Sequence, residues 1–310
     1  MDKKNLRIVF MGTPEISKKV LEDLIHDGYQ IVGLIAQPDR PKGRKKELLP
    51  VPTKEVALAH NIPVAQPIKI REDYSFLKEW NPDVIITLAY GQIVPQGVLD
   101  IPRYGAINLH GSLLPKYRGA APIQYALIHN EKETGMSLME MTYQMDAGRV
   151  YDVEKVTIDQ EDNATSLFIK MGEAASRLIL RALPLYIDGI LKGEEQDETK
   201  VTFCPTIKKE QERLSLDLET EDFLGWVRGL SYEPGGYVFV VGQKWKILKA
   251  HPYDASLGEV GKIEVLAKDT ITLQLKNGRI ALDEIQKEGK PKMKARDFIN
   301  GLHQKTLQAE

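Results

Sequence analysis

Short apolar runs alternate with amphipathic stretches through the amino-terminal part of the chain. LRIVF (6–10), QIVGLIA (30–36), VIITLAY (84–90) and GAINLH (105–110) are apolar at successive positions. Such runs predict strands buried on both faces. Helical spacing over 14–26, 53–60 and 75–80 predicts helices, the first opened by Pro14 after Thr13. Segments 136–141 and 150–158 predict two later strands, antiparallel pairing being one option, and a long helix follows from about Thr165 to Ile190. This alternation predicts an α/β domain: a doubly wound, mostly parallel Rossmann-like sheet with helices on both faces.

The pattern then changes. Residues 191–209, LKGEEQDETKVTFCPTIKK, are polar with little periodicity and read as an interdomain linker. Beyond them come a helix over 220–230 and short strands at 237–241, 244–250, 260–266, 271–275 and 279–285, separated by turn residues, with a closing helix over Lys294–Leu307. Short strands after a helix predict a small β-barrel of the oligonucleotide-binding type. The division expected is 1–190, a linker at 191–209 and a barrel domain at 210–310, and 310 residues suffice for two cores.

Composition narrows the classes. With 42% hydrophobic and 28% charged residues the chain has the make-up of an ordinary globular protein. A net charge of −2 is not that of a generic nucleic-acid binder, although it leaves room for a local basic surface. Arg40, Lys42, Arg44, Lys45 and Lys46 supply one, falling within seven residues without an intervening acid. The run fits a solvated loop, and it fits a phosphate grip at the edge of a site. Cys204 is the single cysteine, which excludes an intramolecular disulfide and a cysteine-based zinc site; a buried thiol beside Pro205 is expected. The amino terminus enters a strand at once, unlike a signal peptide, and no apolar run reaches membrane-spanning length, so a cytoplasmic location is expected. Gly12 stands alone before the first helix, without a dinucleotide fingerprint or a phosphate-loop lysine.

The candidate chemistry lies in INLHGSLLPKYRG, residues 107–119. Asn108 and His110 are two apart on a strand, so their side chains leave the same face. An amide donor beside an imidazole can polarise a carbonyl and move a proton; a carboxylate such as Asp146 in QMDAG could set the imidazole's tautomer and charge. An Asn-x-His pair also fits a purely structural hydrogen bond, and Asp146 before Ala147-Gly148 also fits a turn. The turn-rich Gly111–Pro115 segment after the pair suits the carboxyl edge of an α/β sheet, where ligands bind.

Together these residues resemble the signature of the 10-formyltetrahydrofolate-dependent formyltransferases: Asn-x-His, Ser-Leu-Leu-Pro, and an Asp 36 residues after the His. MGTPE (11–15), QPDRPKGRKKELLP (37–50), AYGQIVP (89–95), GAAPIQ (119–124) and ETGMSLMEM (133–141) extend the resemblance, and the QPDRPKGR loop with the carboxyl-terminal segment narrows it to the methionyl-tRNA formyltransferase family. Arg149 stands where much of that family has an acid, and Ser231–Gly236 matches its consensus only loosely.

The resemblance implies formyl transfer from 10-formyltetrahydrofolate to the α-amino group of methionyl initiator tRNA, for translation initiation. It implies Asn108, His110 and Asp146 as catalytic residues. Gln92, Ile93 and Val94, with Ser112, Leu113, Leu114 and Pro115, are the expected folate-binding residues. Arg40, Lys42, Arg44, Lys45 and Lys46 are the expected tRNA contacts. No metal and a monomeric enzyme are expected. A formyltransferase acting on a small amine such as an amino sugar nucleotide is the alternative enzyme; an RNA-binding module on an inert scaffold is the non-enzymatic one.

Overall fold

Strand β1 (Arg7–Gly12) is buried along nearly its whole length, as its apolar run predicts. The computed structural model describes residues 3–42, 47–302 and 304–310. After β1 come α1 (Glu15–His26), β2 (Gln30–Ile35), β3 (Arg40–Lys42), β4 (Glu47–Leu49), α2 (Pro52–Ala59), β5 (Val64–Ala65), α3 (Phe76–Trp80), β6 (Val84–Leu88), α4 (Gln96–Leu99) and β7 (Ala106–His110). Next are β8 (Arg118–Gly119), α5 (Pro122–Ile128), β9 (Glu133–Glu140), β10 (Val150–Thr157), α6 (Ala164–Ile187) and β11 (Phe203–Cys204). The rest comprises α7 (Thr220–Leu230), β12 (Tyr237–Val240), β13 (Gln243–Asp254), β14 (Lys262–Val265), β15 (Ile271–Leu275), β16 (Gly278–Lys287), β17 (Met293–Lys294), α8 (Ala295–Asn300) and β18 (Thr306–Gln308).

The chain forms two compact units. The first comprises Met1–Ala120, Thr134–Thr157 and Phe168–Cys204; the second comprises Ala121–Glu133, Ile158–Leu167 and Pro205–Glu310.

The first unit holds a seven-stranded sheet in the order β10-β9-β7-β6-β1-β2-β5. Strands β5, β2, β1, β6 and β7 run parallel, and β9 pairs antiparallel to β7. The strand order reverses at β1, which pairs with β2 on one side and β6 on the other, so the carboxyl ends of β1 and β6 form the topological switch point at which sheets of this kind bind ligands. Strand-end carbonyls there are tied down by hydroxyls: Ser17 donates to Leu88 O at 2.6 Å and Thr53 to Gly12 O at 2.9 Å. A Cβ at residue 12 would lie 2.7 Å from Leu88 O, so the first turn of α1 can approach β6 only over glycine.

The long helix α6 ends at Ile187, short of the expected residue 190, because Gly189 turns left-handed at φ +68. The 37–50 segment, expected as an open loop, is in part a hairpin in which Arg40 pairs with Leu49 and Lys42 with Glu47.

Residues 191–204, read from sequence within the linker, are folded into this unit. Glu194 and Val150 exchange backbone hydrogen bonds of 2.9 Å, and β11 pairs in parallel with β8.

The second unit is an antiparallel barrel in the order β12-β13-β16-β15-β14-β18, with β17 paired to β16. It closes where Val240 bridges Ala309 and Glu310 N–H donates to Phe239 O at 2.8 Å. Its core packs Phe223, Val227 and Leu230 of α7 against Trp245, Ile271, Leu273, Ile280 and Phe298. Each such side chain contributes roughly 1.5–3 kcal/mol by leaving water. Helix α7 covers the expected 220–230. A Cβ at Gly225 would lie 2.4 Å from Ile128 O, so α5 and α7 cross over glycine.

The expected helix over Lys294–Leu307 is corrected: α8 stops at Asn300, and the chain returns as β18. Pairing of Lys262, Ile263 and Glu264 with Gln308, Leu307 and Thr306 satisfies an edge that a helix would leave open.

Candidate active site

Strand β7 places Asn108 and His110 on one face near the carboxyl edge of the sheet, with Asn108 beside Thr87 of β6 and His110 beside Ser137 of β9. Asn108 is half-buried, and among the described residues its side-chain amide has no protein hydrogen-bond partner. His110 is only 5% exposed, and its Nε2 lies 2.8 Å from Tyr117 O. A carbonyl can only accept, so Nε2 carries a proton. Nδ1 is therefore the nitrogen left for proton transfer, and it lies 3.6 Å from Asp146 Oδ2. That separation is beyond a direct hydrogen bond but within ion-pair distance of a protonated imidazole.

Asp146 occupies a left-handed position at φ +52, so it does form the turn its sequence suggests while directing its carboxylate at the imidazole. Gly119 N–H donates to Oδ2 at 2.8 Å. The Gln196 amide donates to Asp146 O at 2.8 Å and Gly148 O at 2.7 Å.

The loop after His110 is held from within. Ser112 is fully buried; its hydroxyl donates to Lys116 O at 2.6 Å, and its carbonyl accepts from the Ser137 hydroxyl at 2.7 Å. Ser137 Oγ also accepts from Leu114 N–H at 3.1 Å. The Ser112 side chain thus shapes the loop, whereas Leu113, Leu114 and Pro115 are half-exposed and present surface.

Further along, Tyr117 N–H donates to Thr202 Oγ1 at 2.9 Å and Ala120 N–H to Cys204 O at 2.8 Å. Gly119 has φ +125, and a Cβ there would lie 2.5 Å from Cys204 O, so glycine is required twice over. The Cys204 thiol is buried and donates to Tyr117 O at 3.1 Å.

Of the other expected folate residues, Gln92 spends its side chain on backbone. Its Nε2 donates to Pro67 O at 3.1 Å and Ile68 O at 3.2 Å, and its Oε1 accepts from Ile70 N–H at 2.8 Å. Val94 is buried in the apolar core, and Ile93, 70% exposed, is the side chain of the three that faces outward.

Among the expected tRNA contacts, Arg40 is exposed on β3 and makes no hydrogen bond or ion pair with Asn108, His110 or Asp146 among the described residues. Arg44, Lys45 and Lys46 lie outside the described residues, as does the Lys42 side chain. The root of this hairpin is anchored by Asp39, whose carboxylate accepts from Lys54 Nζ at 2.5 Å, Gln66 Nε2 at 2.8 Å and Val51 N–H at 3.2 Å. Partial burial pushes the Asp39 carboxyl up, but these donors outweigh it and hold its pKa below the usual value.

Other residues complete the site; Arg118, a candidate from sequence to hold a carboxylate or a phosphate, does hold a carboxylate, that of Glu198. Arg118 is 1% exposed, and its guanidinium donates to both oxygens of Glu198 at 2.7 and 3.4 Å and through Nε to Gln196 Oε1 at 3.0 Å. Gln196, Glu198, Thr202 and Cys204 all come from the segment read as linker. Arg149 pairs with the neighbouring Glu195 at 2.7 Å, on the surface.

Among the described residues, no three His, Cys, Asp or Glu side chains are grouped to hold a metal ion, and no helix is long and apolar enough to cross a membrane.

The formyl transferase pattern matches residues 6–183, and the formyl transferase carboxyl-terminal domain pattern matches 206–303. A methionyl-tRNA formyltransferase of Bacillus subtilis is 43% identical over 301 residues, covering 96% of this chain and 95% of that protein. One from Lactobacillus acidophilus is 43% identical over 307 residues, covering 98% of each. Among solved structures, HypX from Aquifex aeolicus in complex with tetrahydrofolic acid superposes with a TM-score of 0.66 at 17% identity, over 96% of this chain and 47% of that one. WlaRD, a sugar 3N-formyl transferase, superposes with a TM-score of 0.69 at 18% identity, over 93% and 100%. These two likenesses show the fold; the sequence relatives show the family. The chain belongs to the methionyl-tRNA formyltransferase family.

Proposed function

We propose that this enzyme transfers the formyl group of 10-formyltetrahydrofolate to the α-amino group of methionine on initiator tRNA, in the cytoplasm and as a monomer. The relatives similar over nearly the full length of the chain support the activity. The observation that carries the site assignment is the His110–Asp146 approach of 3.6 Å beside the unpartnered Asn108 amide. No observation beyond the shared fold favours an amino sugar nucleotide as acceptor.

Bound folate supplies an activated formyl carbon, and the chain's own residues supply three things. Asn108 donates an amide N–H to the formyl oxygen as charge develops on it. His110, its Nε2 proton committed to Tyr117 O, uses Nδ1 to take the proton released by the attacking amine and return it towards the departing folate nitrogen. Asp146 holds the charge that Nδ1 acquires in transit. The exposed Ile93 and the half-exposed Leu113, Leu114 and Pro115 fit an apolar wall for a flat folate ring, with backbone near Gln92 as its polar edge.

For tRNA, the cations at 40–46 are one grip. A second is offered by the barrel, where Lys244, Lys246 and Lys287 line one groove of about 210 Å³. Lysines gathered in this way suit phosphates. We assign catalysis to residues 1–190 and tRNA holding to 210–310 together with the 40–46 cations. The test is formylation of charged initiator tRNA by the purified chain, with free methionine and an amino sugar nucleotide as competing acceptors. Formylation of the sugar nucleotide in preference to the tRNA would refute the assignment.

A further inference from the structure

We propose that Gln196, oriented by Arg118, is a positioning residue that fixes Asp146 for formyl transfer. The inference rests on the reading of Asp146 as part of the reaction. Arg118 carries a guanidinium that is 1% exposed and can only donate. Its Nε donates to Gln196 Oε1 at 3.0 Å, which decides which end of that amide faces which way. The Gln196 NH₂ group must then face the turn, and both of its hydrogens are used, on Asp146 O at 2.8 Å and Gly148 O at 2.7 Å. The first carbonyl belongs to a residue held at φ +52 and the second lies two residues further on in the same turn; non-glycine residues adopt that conformation only when their surroundings hold it.

The other side of Asp146 depends on the same place in the chain. Its carboxylate accepts from Gly119 N–H at 2.8 Å, the residue after Arg118, and Arg118 and Gly119 form the two-residue strand paired with Phe203 and Cys204. One short strand therefore sets both the backbone of Asp146, through Gln196, and its carboxylate, directly through Gly119 N–H. Glu198 completes the arrangement by pairing with the far side of the guanidinium at 2.7 Å, so the buried charge is neutralised without competing for Gln196. The residue sits between the two matched family patterns, in a segment that would otherwise need only to connect.

Gln196→Glu tests this closely. The carboxylate still accepts from Arg118 but cannot donate to either carbonyl. A misplacement of about 1 Å in a catalytic group can cost on the order of 10²-fold. We expect kcat to fall roughly 10- to 100-fold while KM for folate and for tRNA stays within about 2-fold.

In an Asp146→Asn background the same change should have no further effect, because it acts only through Asp146. Near-parental kcat for Gln196→Glu, or losses that multiply in the double variant, would overturn the inference. Near-parental activity of Asp146→Asn alone would instead overturn the reading of the site on which it rests. If Gln196→Glu does not fold by circular dichroism, Gln196→Met, similar in length and without a donor, carries the same two comparisons.

Discussion

Between Gly111 and Ala120 the chain is tied to its own unit at almost every turn, by Ser137, Thr202 and Cys204, whereas the hairpin at Arg40–Leu49 is anchored at its root by Asp39 and leaves Leu48 and Leu49 exposed. The first arrangement suits chemistry. Donors and carboxylates fixed before substrate arrives need no reorganisation when charge develops. The second suits recognition of a large polyanion, where side chains left in water can settle against phosphates and the ordering cost falls on binding. The contrast therefore separates what should govern kcat from what should govern KM for tRNA.

The largest expected effect is at the strand pair. His110→Ala should lower kcat about 10²–10⁴-fold, the scale of losing a general acid–base group, and Asn108→Ala about 10²–10³-fold, the scale of losing one oxyanion donor, both with unchanged circular dichroism. Near-normal formylation by either would remove the pair from the chemistry. Asp146→Asn comes next: it keeps the volume and removes the charge facing Nδ1, and most activity should go. The residual rate should have an altered pH profile, and a rate and profile matching the parent's would leave Asp146 as a turn residue only.

Gly119→Ala probes the rigid region through stability. With φ +125 and Cys204 O in the way, it should unfold at visibly lower denaturant, by roughly 1–3 kcal/mol on the scale of strained backbone. Chemical denaturation reads this directly, and an unchanged midpoint would show that the β8–β11 pairing yields.

Smaller effects belong to the hairpin. Arg44→Ala with Lys45→Ala should raise KM for tRNA and flatten its salt dependence while leaving folate affinity alone. A loss confined to folate binding would contradict that role. The smallest concerns its root. Because the folded Asp39 carboxyl titrates below its ordinary value of 3.8, its contribution to stability is present above that value and is lost as pH falls through the lowered one. Melting curves taken across acid pH should show a shallower acid decline for Asp39→Asn than for the parent.

Much of the fold follows visibly from residue patterns. The β15 strand at Ile271–Leu275 and helix α7 at Thr220–Leu230 stand where the periodicity places them, because each is an amphipathic or apolar element decided by its own residues. The end of the barrel was not legible: helical propensity beyond Asn300 gives way to β18, whose reward lies in pairing with Lys262–Glu264 some 40 residues away.

The site divides in the same manner. Asn108 and His110 share a face because of a two-residue period, which sequence displays. Cys204 reaches the site through a two-residue parallel pairing with Arg118–Gly119, Thr202 by accepting from Tyr117 N–H and Gln196 by accepting from the Arg118 side chain, and nothing local in a polar stretch announces these contacts. Arg118, in a loop that reads as solvent-facing, is buried because Glu198 and Gln196 meet it from that same stretch.

The most direct test of the separation is to measure kcat and KM for tRNA side by side in Asn108→Ala and in the Arg44→Ala, Lys45→Ala double variant, at saturating 10-formyltetrahydrofolate. The account predicts that the first loses kcat with KM for tRNA little changed, and that the second raises KM with kcat little changed. If both variants move the same parameter, the proposed division between chemistry at Asn108 and tRNA recognition by the 40–46 cations is wrong.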